Sequence, residues 1–445
     1  MKRLLYRGLV CLALPFALAL LGWRGLRDRG YWRGLDERFG FGARSPAGSI
    51  WVHAVSVGEV QAAAALVQAL REAHPGIPLT LTTTTATGAA RARVLFGPDV
   101  QVRFLPFDTT GSVRRFFDRV RPLVAIVVEK EVWPNLYHEC GVRRVPLVLA
   151  SAALAPHALD RYRRLGSLFA ETLARGMIVA AQTEADAARF RAIGANPAAT
   201  HVIGNLKFDL APPADAVAVG EALRARHGWQ QRCVLVGGST YEDEEEALLQ
   251  AQRSLRAEGV DLALVLAPRH PPRFAAVADR LRAAGVNFVR QSTLQESALQ
   301  ESTLQESAKA APATDVLLLD SIGELPVAYA AADIAFVGGS LVAGVGGHNL
   351  LEPAALGVAT LTGPHGYNAP DIVAALRNAG ALGVVAHADS LTAEVRRLAG
   401  DAAERARRGE SGRCYVAENR GTLQRLLTLL QPIILTASRP APASR

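Results

Sequence analysis

Residues 333–357 read DIAFVGGSLVAGVGGHNLLEPAALG. The apolar run after Asp333 predicts a short buried strand, and five glycines then carry the chain through a loop to a helix opened by Asn349, Glu352 and Pro353. Glycine tolerates positive φ and close approach to a ligand, while the amides of a helix's first turn favour an anion. Pro353 suits that turn, because its missing N–H costs nothing there. Glu352 can accept hydrogen bonds from sugar hydroxyls, but its charge repels a phosphate set directly on it. The expectation is a nucleotide cradle with ribose at Glu352 and phosphate at the amides; an ordinary glycine-rich βα turn is the competing reading.

The strand-then-helix rhythm of this stretch repeats along the chain. Apolar runs SIWVHAV, PLTLTTT, QVRFLPF, PLVAIVVE, PLVLAS, MIVAAQT and HVIGN alternate with helix-length amphipathic segments such as Glu59 to Arg71 and Ala185 to Ile193. A second series follows in RCVLVGGS, DLALVLAP, VNFVRQ, DVLLLDS, DIAFVGG and VATLTG. Such alternation predicts parallel sheets with right-handed crossovers, hence two Rossmann-like α/β domains facing a cleft, with ligands at the carboxyl ends of the strands. Pro212 and Pro213 mark the break between the series. The expected boundaries are a membrane-anchor segment 1–35, an amino-terminal domain 36–210, a linker 211–228, a carboxyl-terminal domain 229–412, a helix 413–432 packing back across the domains, and a disordered tail 433–445. Three tandem STLQE-like units, Ser292 to Glu306, read as a duplication in a surface loop.

A chain of 445 residues exceeds what one core usually serves. Half of it is hydrophobic but only 6% aromatic, which suits α/β layers. Cys11, Cys140, Cys233 and Cys414 are too scattered for a disulfide framework or a zinc site, and this favours catalytic domains on the cytoplasmic side of a membrane. His53, His270, His348 and His365 lack the helical ligand spacing of a metal site, and no G-x-S-x-G elbow occurs. Part of the net charge of +8 lies at the amino terminus, where Lys2, Arg3 and Arg7 precede an apolar run from Gly8 to Trp23 and Arg24, Arg27, Arg29 and Arg33 follow it. A cleaved signal peptide, a signal anchor and an interfacial helix all fit; an uncleaved anchor against anionic lipid is favoured, because no cleavage site with a polar start follows. Nothing resembles a nucleic-acid-binding motif.

Several motifs carry chemistry. In WVHAVSVGEVQAA (51–63) Glu59 opens a helix after a strand, either as a general base or as a complement to the helix dipole. In VVEKEVWPNL (127–136) Glu129 and Glu131 stand two apart, sharing one face of an extended segment. Lys207 of GNLKFD sits between a strand and the linker. GGSTYEDEEE (237–246) predicts a helix capped by Ser239 or Thr240 with acids in its first turn. Arg269, after Pro268 in APRHPPRF, is suited to a phosphate or a base, and Gly323, Glu324 and Leu325 open a helix whose backbone can read a base edge.

In this order the motifs resemble the Kdo transferases, membrane-associated glycosyltransferases that move 3-deoxy-D-manno-octulosonic acid (Kdo) from CMP-Kdo to a lipid A precursor. The resemblance spans nearly the whole chain: YWRGLDERFG, HAVSVGEV, TTTTATG, LPFD, EKEVWPNL, QTEADAARF, GNLKFD, GGSTYEDEEE, APRHPPRF, GEL and the glycine-rich segment with GPH. It implies a GT-B architecture with the acceptor in the amino-terminal domain and the nucleotide sugar mainly in the other, at the inner membrane. It further implies Glu59 as the base, Glu129 and Lys207 supporting the transition state, and a CMP site at Pro268, Arg269, Gly323, Glu324, Leu325, Asn349, Leu350, Leu351 and Glu352. No cofactor or metal is implied. SAALAP (151–156) replaces an expected asparagine-alanine-arginine segment, and HNLLEP replaces HNPLEP. A related GT-B transferase using a UDP-sugar, or a membrane-tethered nucleotide-binding protein without catalysis, are the alternatives.

Overall fold

Strands of a parallel sheet are covered by helices on both faces, so their sequences run apolar without alternation. The computed structural model describes residues 2–27, 29–129, 133–154, 159, 167–173, 176–209, 215–294 and 314–439. Two units emerge, one of Met1–Leu210 with Asn419–Arg445 and one of Ala211–Glu418.

The first unit holds β1 (Ile50–His53), β2 (Leu79–Thr83), β3 (Val100–Phe104), β4 (Val124–Val128), β5 (Leu147–Ala152), β6 (Met177–Ala181) and β7 (Thr200–Val202). They form one parallel sheet in the order β3-β2-β1-β4-β5-β6-β7. The second unit holds β8 (Cys233–Thr240), β9 (Leu262–Pro268), β10 (Phe288–Arg290), β11 (Val316–Leu318), β12 (Ile334–Val337), β13 (Ala359–Thr362) and β14 (Leu382–Val384). Their order is β10-β11-β9-β8-β12-β13-β14, again parallel. Every predicted strand is present. β14 is additional, three residues interrupted by Gly383 and too short to leave a pattern.

The structure departs from the sequence reading at the joins. Most of the expected linker 211–228 is helix, Ala216–His227, and Gly220 lies so close to Ala330 that a Cβ would sit 2.4 Å from its carbonyl oxygen. The single helix expected at 413–432 is two, Ala402–Glu418 and Thr422–Ala437, broken at Gly421 with φ 88°. The second of these covers residues 433–437, which the sequence assigns to a disordered tail. The helix expected from Glu59 to Arg71 divides into Val57–Ala62 and Ala64–Ala73. Most of the STLQE repeat, and Glu131, lie outside the described residues.

The carboxyl-terminal helix belongs to the first unit. Asp209 accepts the Gly421 N–H at 2.7 Å and the Leu423 N–H at 2.6 Å, satisfying donors at that helix's start. Leu426, Leu430 and Ile434 are fully buried and join Val60, Leu66, Leu70 and Val124 in one core. At the other end of the chain, Lys2–Arg27 forms a helix followed by a short turn, Arg29–Trp32. Its Tyr6 hydroxyl donates to Asp108 Oδ2 at 2.7 Å, and Asp108 also accepts the Asn135 and Leu136 amides at the head of the Pro134–Val142 helix.

Deleting a buried leucine's side chain removes its transfer free energy and leaves a cavity. Leu430→Ala is expected to cost about 2–5 kcal/mol of first-unit stability, read as a lower denaturant midpoint.

Candidate active site

Where the strand order reverses beside the first strand of a sheet, the flanking loops form a crevice at the strands' carboxyl ends. In the first unit the reversal falls between β1 and β4. Glu59 follows β1 in the first turn of Val57–Ala62, and Glu129 immediately follows β4.

Glu59 is held by the turn that presents it. Its Oε2 accepts the Val55 N–H at 2.6 Å, and the Val55 carbonyl in turn accepts the Thr83 hydroxyl at 2.7 Å and the Thr84 hydroxyl at 3.1 Å. The TTTTATG motif is therefore the support of the Glu59 turn. Gly88 is required for that fit, since a Cβ there would sit 2.5 Å from Thr83 Oγ1. Beneath it His53 is fully buried, with Nδ1 2.9 Å from Thr82 Oγ1; burial pushes its pKa down to about 4.

Glu129 and Lys207 meet directly, Nζ to Oε1 at 2.6 Å, with the carboxylate buried. Glu129 has φ 67° and Ser151, at the end of the neighbouring β5, has φ 53°. Left-handed conformations at side chains of these types cost free energy and collect at functional sites. Ser151 Oγ accepts the Leu206 N–H at 3.1 Å, and its carbonyl accepts Gln182 Nε2 at 3.0 Å. Gln182 Oε1 accepts Asn205 Nδ2, and Asn205 Oδ1 accepts the Lys207 N–H, both near 3 Å. The first residue of SAALAP thus positions Lys207. Ser151, Gln182 and Asn205 are absent from the sequence-derived site, because nothing local to any of them shows that they converge.

In the second unit the reversal falls between β8 and β12, where the segments GGST and 338–350 emerge. The amides of the glycine loop nearest β12 are already committed within the protein. Glu244 is fully buried, and its carboxylate accepts the amides of Tyr241 and Gly339 through Oε2 and of Ser340 and Leu341 through Oε1, at 2.8–3.0 Å. The early loop amides are therefore bound to the protein's own carboxylate rather than turned toward a phosphate. The expected cap at Ser239 or Thr240 is replaced by Tyr241, whose capping box with Glu244 has the usual N-cap to N3 spacing and is visible in the sequence once the helix start is set. Glu245, also buried, pairs with both terminal nitrogens of Arg273 at 2.8 Å. The acidic run is thus built partly into the interior.

What remains for a ligand is an aromatic and cationic cluster. Tyr241 stacks on His348 with ring centroids 5.9 Å apart and meets His270 edge-on at 5.5 Å. Burial, then the Arg269 charge, holds His348 down to about 4 and lowers His270 as well, so both are neutral imidazoles beside a permanent cation. The Arg269 amide donates to the Thr240 carbonyl at 3.0 Å, and among the described residues its guanidinium makes no hydrogen bond or ion pair. Asn349 Nδ2 donates to Glu352 Oε1 at 3.1 Å while Asn349 Oδ1 accepts the Leu351 N–H, which fixes Glu352 in the first turn of Leu351–Ala355. Gly323, with φ 98°, and Glu324 lead into Leu325–Ala330, which packs close to β8: a Cβ on Gly238 would meet Tyr329 Oη at 2.0 Å and Leu325 Cδ1 at 3.1 Å. The Glu352 charge raises the pKa of buried Tyr329 after burial itself, which brings the GEL and NLLE segments into one neighbourhood.

Two parallel-sheet α/β units, each with its polar groups gathered at a switch point, have the GT-B glycosyltransferase fold. Solved structures agree: a glycosyltransferase from Rickettsia africae matches with a TM-score of 0.53 at 12% identity, over 88% of this chain and 99% of that one. A putative UDP-N-acetylglucosamine 2-epimerase from Listeria monocytogenes matches with a TM-score of 0.53 at 14% identity, over 90% and 100%. The family model described as 3-deoxy-D-manno-octulosonic-acid transferase (kdotransferase) matches residues 33–210. A 3-deoxy-D-manno-octulosonic acid transferase from Haemophilus influenzae is 37% identical over 439 residues, 98% of this chain and 99% of the relative. Another, from Bordetella pertussis, is 40% identical over 446 residues, 96% and 99%. The chain belongs to the 3-deoxy-D-manno-octulosonic acid transferase family of glycosyltransferases.

A histidine whose folded pKa is depressed from 6.5 to about 4 contributes stability that is complete above pH 6.5 and lost as pH falls toward 4. His348→Phe keeps the stack on Tyr241 but does not titrate. Its denaturation midpoint should fall less than the wild type's across that window.

Proposed function

We propose that this enzyme transfers Kdo from CMP-Kdo to a hydroxyl of a lipid A precursor at the cytoplasmic face of the inner membrane. The observations that carry the reading are a held carboxylate, Glu59, at the first unit's switch point and, within the second unit, an open guanidinium, Arg269. Full-length likeness to relatives named for Kdo transfer supplies the sugar. The amino-terminal helix and four free cysteines support the membrane and its cytoplasmic side.

In the proposed step Glu59 takes the proton of the acceptor hydroxyl. The oxygen bonds to the anomeric carbon of Kdo as the bond from that carbon to the CMP phosphate breaks, and CMP leaves with the bonding pair. The carbon becomes cation-like on the way, so stabilisation is needed at the departing phosphate. Arg269 has the charge and geometry for that phosphate. Glu352, oriented by Asn349, takes the ribose hydroxyls, while Pro268, Gly323, Glu324, Leu325, Leu350 and Leu351 shape the nucleotide's bed. The Glu129–Lys207 pair supports the transition state, Lys207 supplying positive charge in a position set by Asn205 and Glu129. The second-unit cradle, in this reading, works through side chains and the later part of the glycine loop.

Three outcomes test the reading. Glu59→Gln should lower transfer by about a hundred- to ten-thousand-fold while CMP affinity, measured by calorimetry, stays at the wild-type value; full turnover in this variant would remove Glu59 as the base. Incubating the wild type with lipid A precursor and either CMP-Kdo or UDP-sugars, then weighing the product, should show Kdo added from CMP-Kdo alone. Arg269→Ala should weaken CMP binding and leave acceptor KM unchanged.

A further inference from the structure

The amino-terminal helix is long and apolar enough to cross a membrane. Its 26 residues span about 39 Å at about 1.5 Å per residue, against a bilayer core of about 30 Å. A crossing helix must place its two ends on opposite sides of that core.

Here both ends touch the same globular unit. Near the start, Tyr6 donates to buried Asp108, and Arg7 Nε donates to Asn135 Oδ1 at 3.3 Å. Just past the other end, the turn with Arg29, Gly30 and Arg33 shares a hollow of about 370 Å³ with Ala86, Thr87 and Arg93 of the Ala86–Phe96 helix. Trp32 folds back on the helix, its Nε1 donating to the Gly22 carbonyl at 3.4 Å, and a Cβ on Gly25 would collide with its ring. Between these ties the helix is two-faced. Tyr6, Val10, Leu14, Ala17, Leu21 and Gly25 are partly or fully covered along its whole length. The opposite stripe, Leu5, Leu9, Leu12, Phe16, Leu20 and Trp23, is exposed, with Phe16 at 79%.

We infer that this helix does not cross the bilayer but lies along its surface, with the Leu5-to-Trp23 stripe in the acyl boundary and the covered face against the first unit. The occupant of the stripe is an anionic phospholipid leaflet. Leucine, phenylalanine and tryptophan without a carboxylate match hydrocarbon, and the guanidinium groups of Arg29, Arg33 and Arg93 at the adjoining hollow, which make no hydrogen bond or ion pair among the described residues, match phosphate headgroups. This rests on the reading of the protein as membrane-bound, but not on which sugar it transfers.

The native Cys11, exposed on the helix, provides the probe. With Cys233→Ala and Cys414→Ser, and Cys140 buried, nitroxide can be placed at Cys11 or at single cysteines substituted for Leu5, Leu12, Phe16 and Leu20. Power-saturation depths in phosphatidylethanolamine–phosphatidylglycerol vesicles should all be shallow, about 5–10 Å, with no maximum at mid-helix. Depths climbing to about 15 Å near residue 12 and falling at both ends would mean a crossing helix and overturn the inference. Dipolar coupling between labels of two copies, with no lipid contact, would overturn it in favour of a dimer interface. Independently, Lys2→Cys should react with an impermeant maleimide only from the side bearing the globular units; labelling from the opposite side overturns it. Kdo transfer by the labelled protein is scored separately, so loss of one reading does not disguise loss of the other.

Discussion

A carboxylate taken out of water must be met by donors or it neutralises, and Glu244 is met by four main-chain amides. Two of its consequences organise the second unit. It ties the start of the Glu242–Ala257 helix to the loop after β12, so the two strands flanking the switch point cannot shift independently. It also fixes why the loop begins with glycine: a Cβ on Gly338 would stand 2.7 Å from Glu244 Oε2 and 2.7 Å from the Ser239 carbonyl. With that loop set, His348 falls onto Tyr241 and Asn349 onto Glu352. The first unit has a counterpart in the Val55 peptide, whose N–H is bound by Glu59 and whose carbonyl is bound by threonine hydroxyls. In both units a main-chain turn at a strand end is clamped from two sides, and the side chains of the candidate site inherit their positions from the clamp.

The fold was legible because both sheets are parallel. Runs such as VAIVV, Val124–Val128, are buried on both faces, and such runs are conspicuous without any partner being known. β14 was not legible, because three residues around a glycine leave no period. The helix 216–227 was hidden by the prolines before it, which read as a break although they only precede a helix. The split at Gly421 was available in principle, since glycine at positive φ ends and starts helices, but an apolar period continuing on both sides masked it.

The candidate site was legible one residue at a time and not as a constellation. Glu59, Glu129, Lys207 and Arg269 each follow closely on a strand's carboxyl end, which the alternating rhythm predicts, and Glu352 opens the helix reached through the loop after β12. The Glu129–Lys207 contact joins residues 78 positions apart, and only the sheet order, which puts β4 beside β5 and β7 at the edge, brings them together. Glu244 illustrates the opposite difficulty. Among a run of acids at a helix start, dipole complementarity explains each member equally well, and sequence carries nothing to say that two of them point inward.

The return of the chain to the first unit has a consequence for how the protein is made. Residues 1–210 can emerge and pair all seven strands of their sheet, yet the surface awaiting Leu426, Leu430 and Ile434 stays open until residues 419–437 have been synthesised. Domains generally fold as they emerge, at about 5–20 residues per second, so the second unit has time to form while the first is still incomplete. Asp209, two residues beyond Lys207, then closes on the Gly421 and Leu423 amides as one of the last events. The unit that carries the amino-terminal helix is thus the one whose core is finished last.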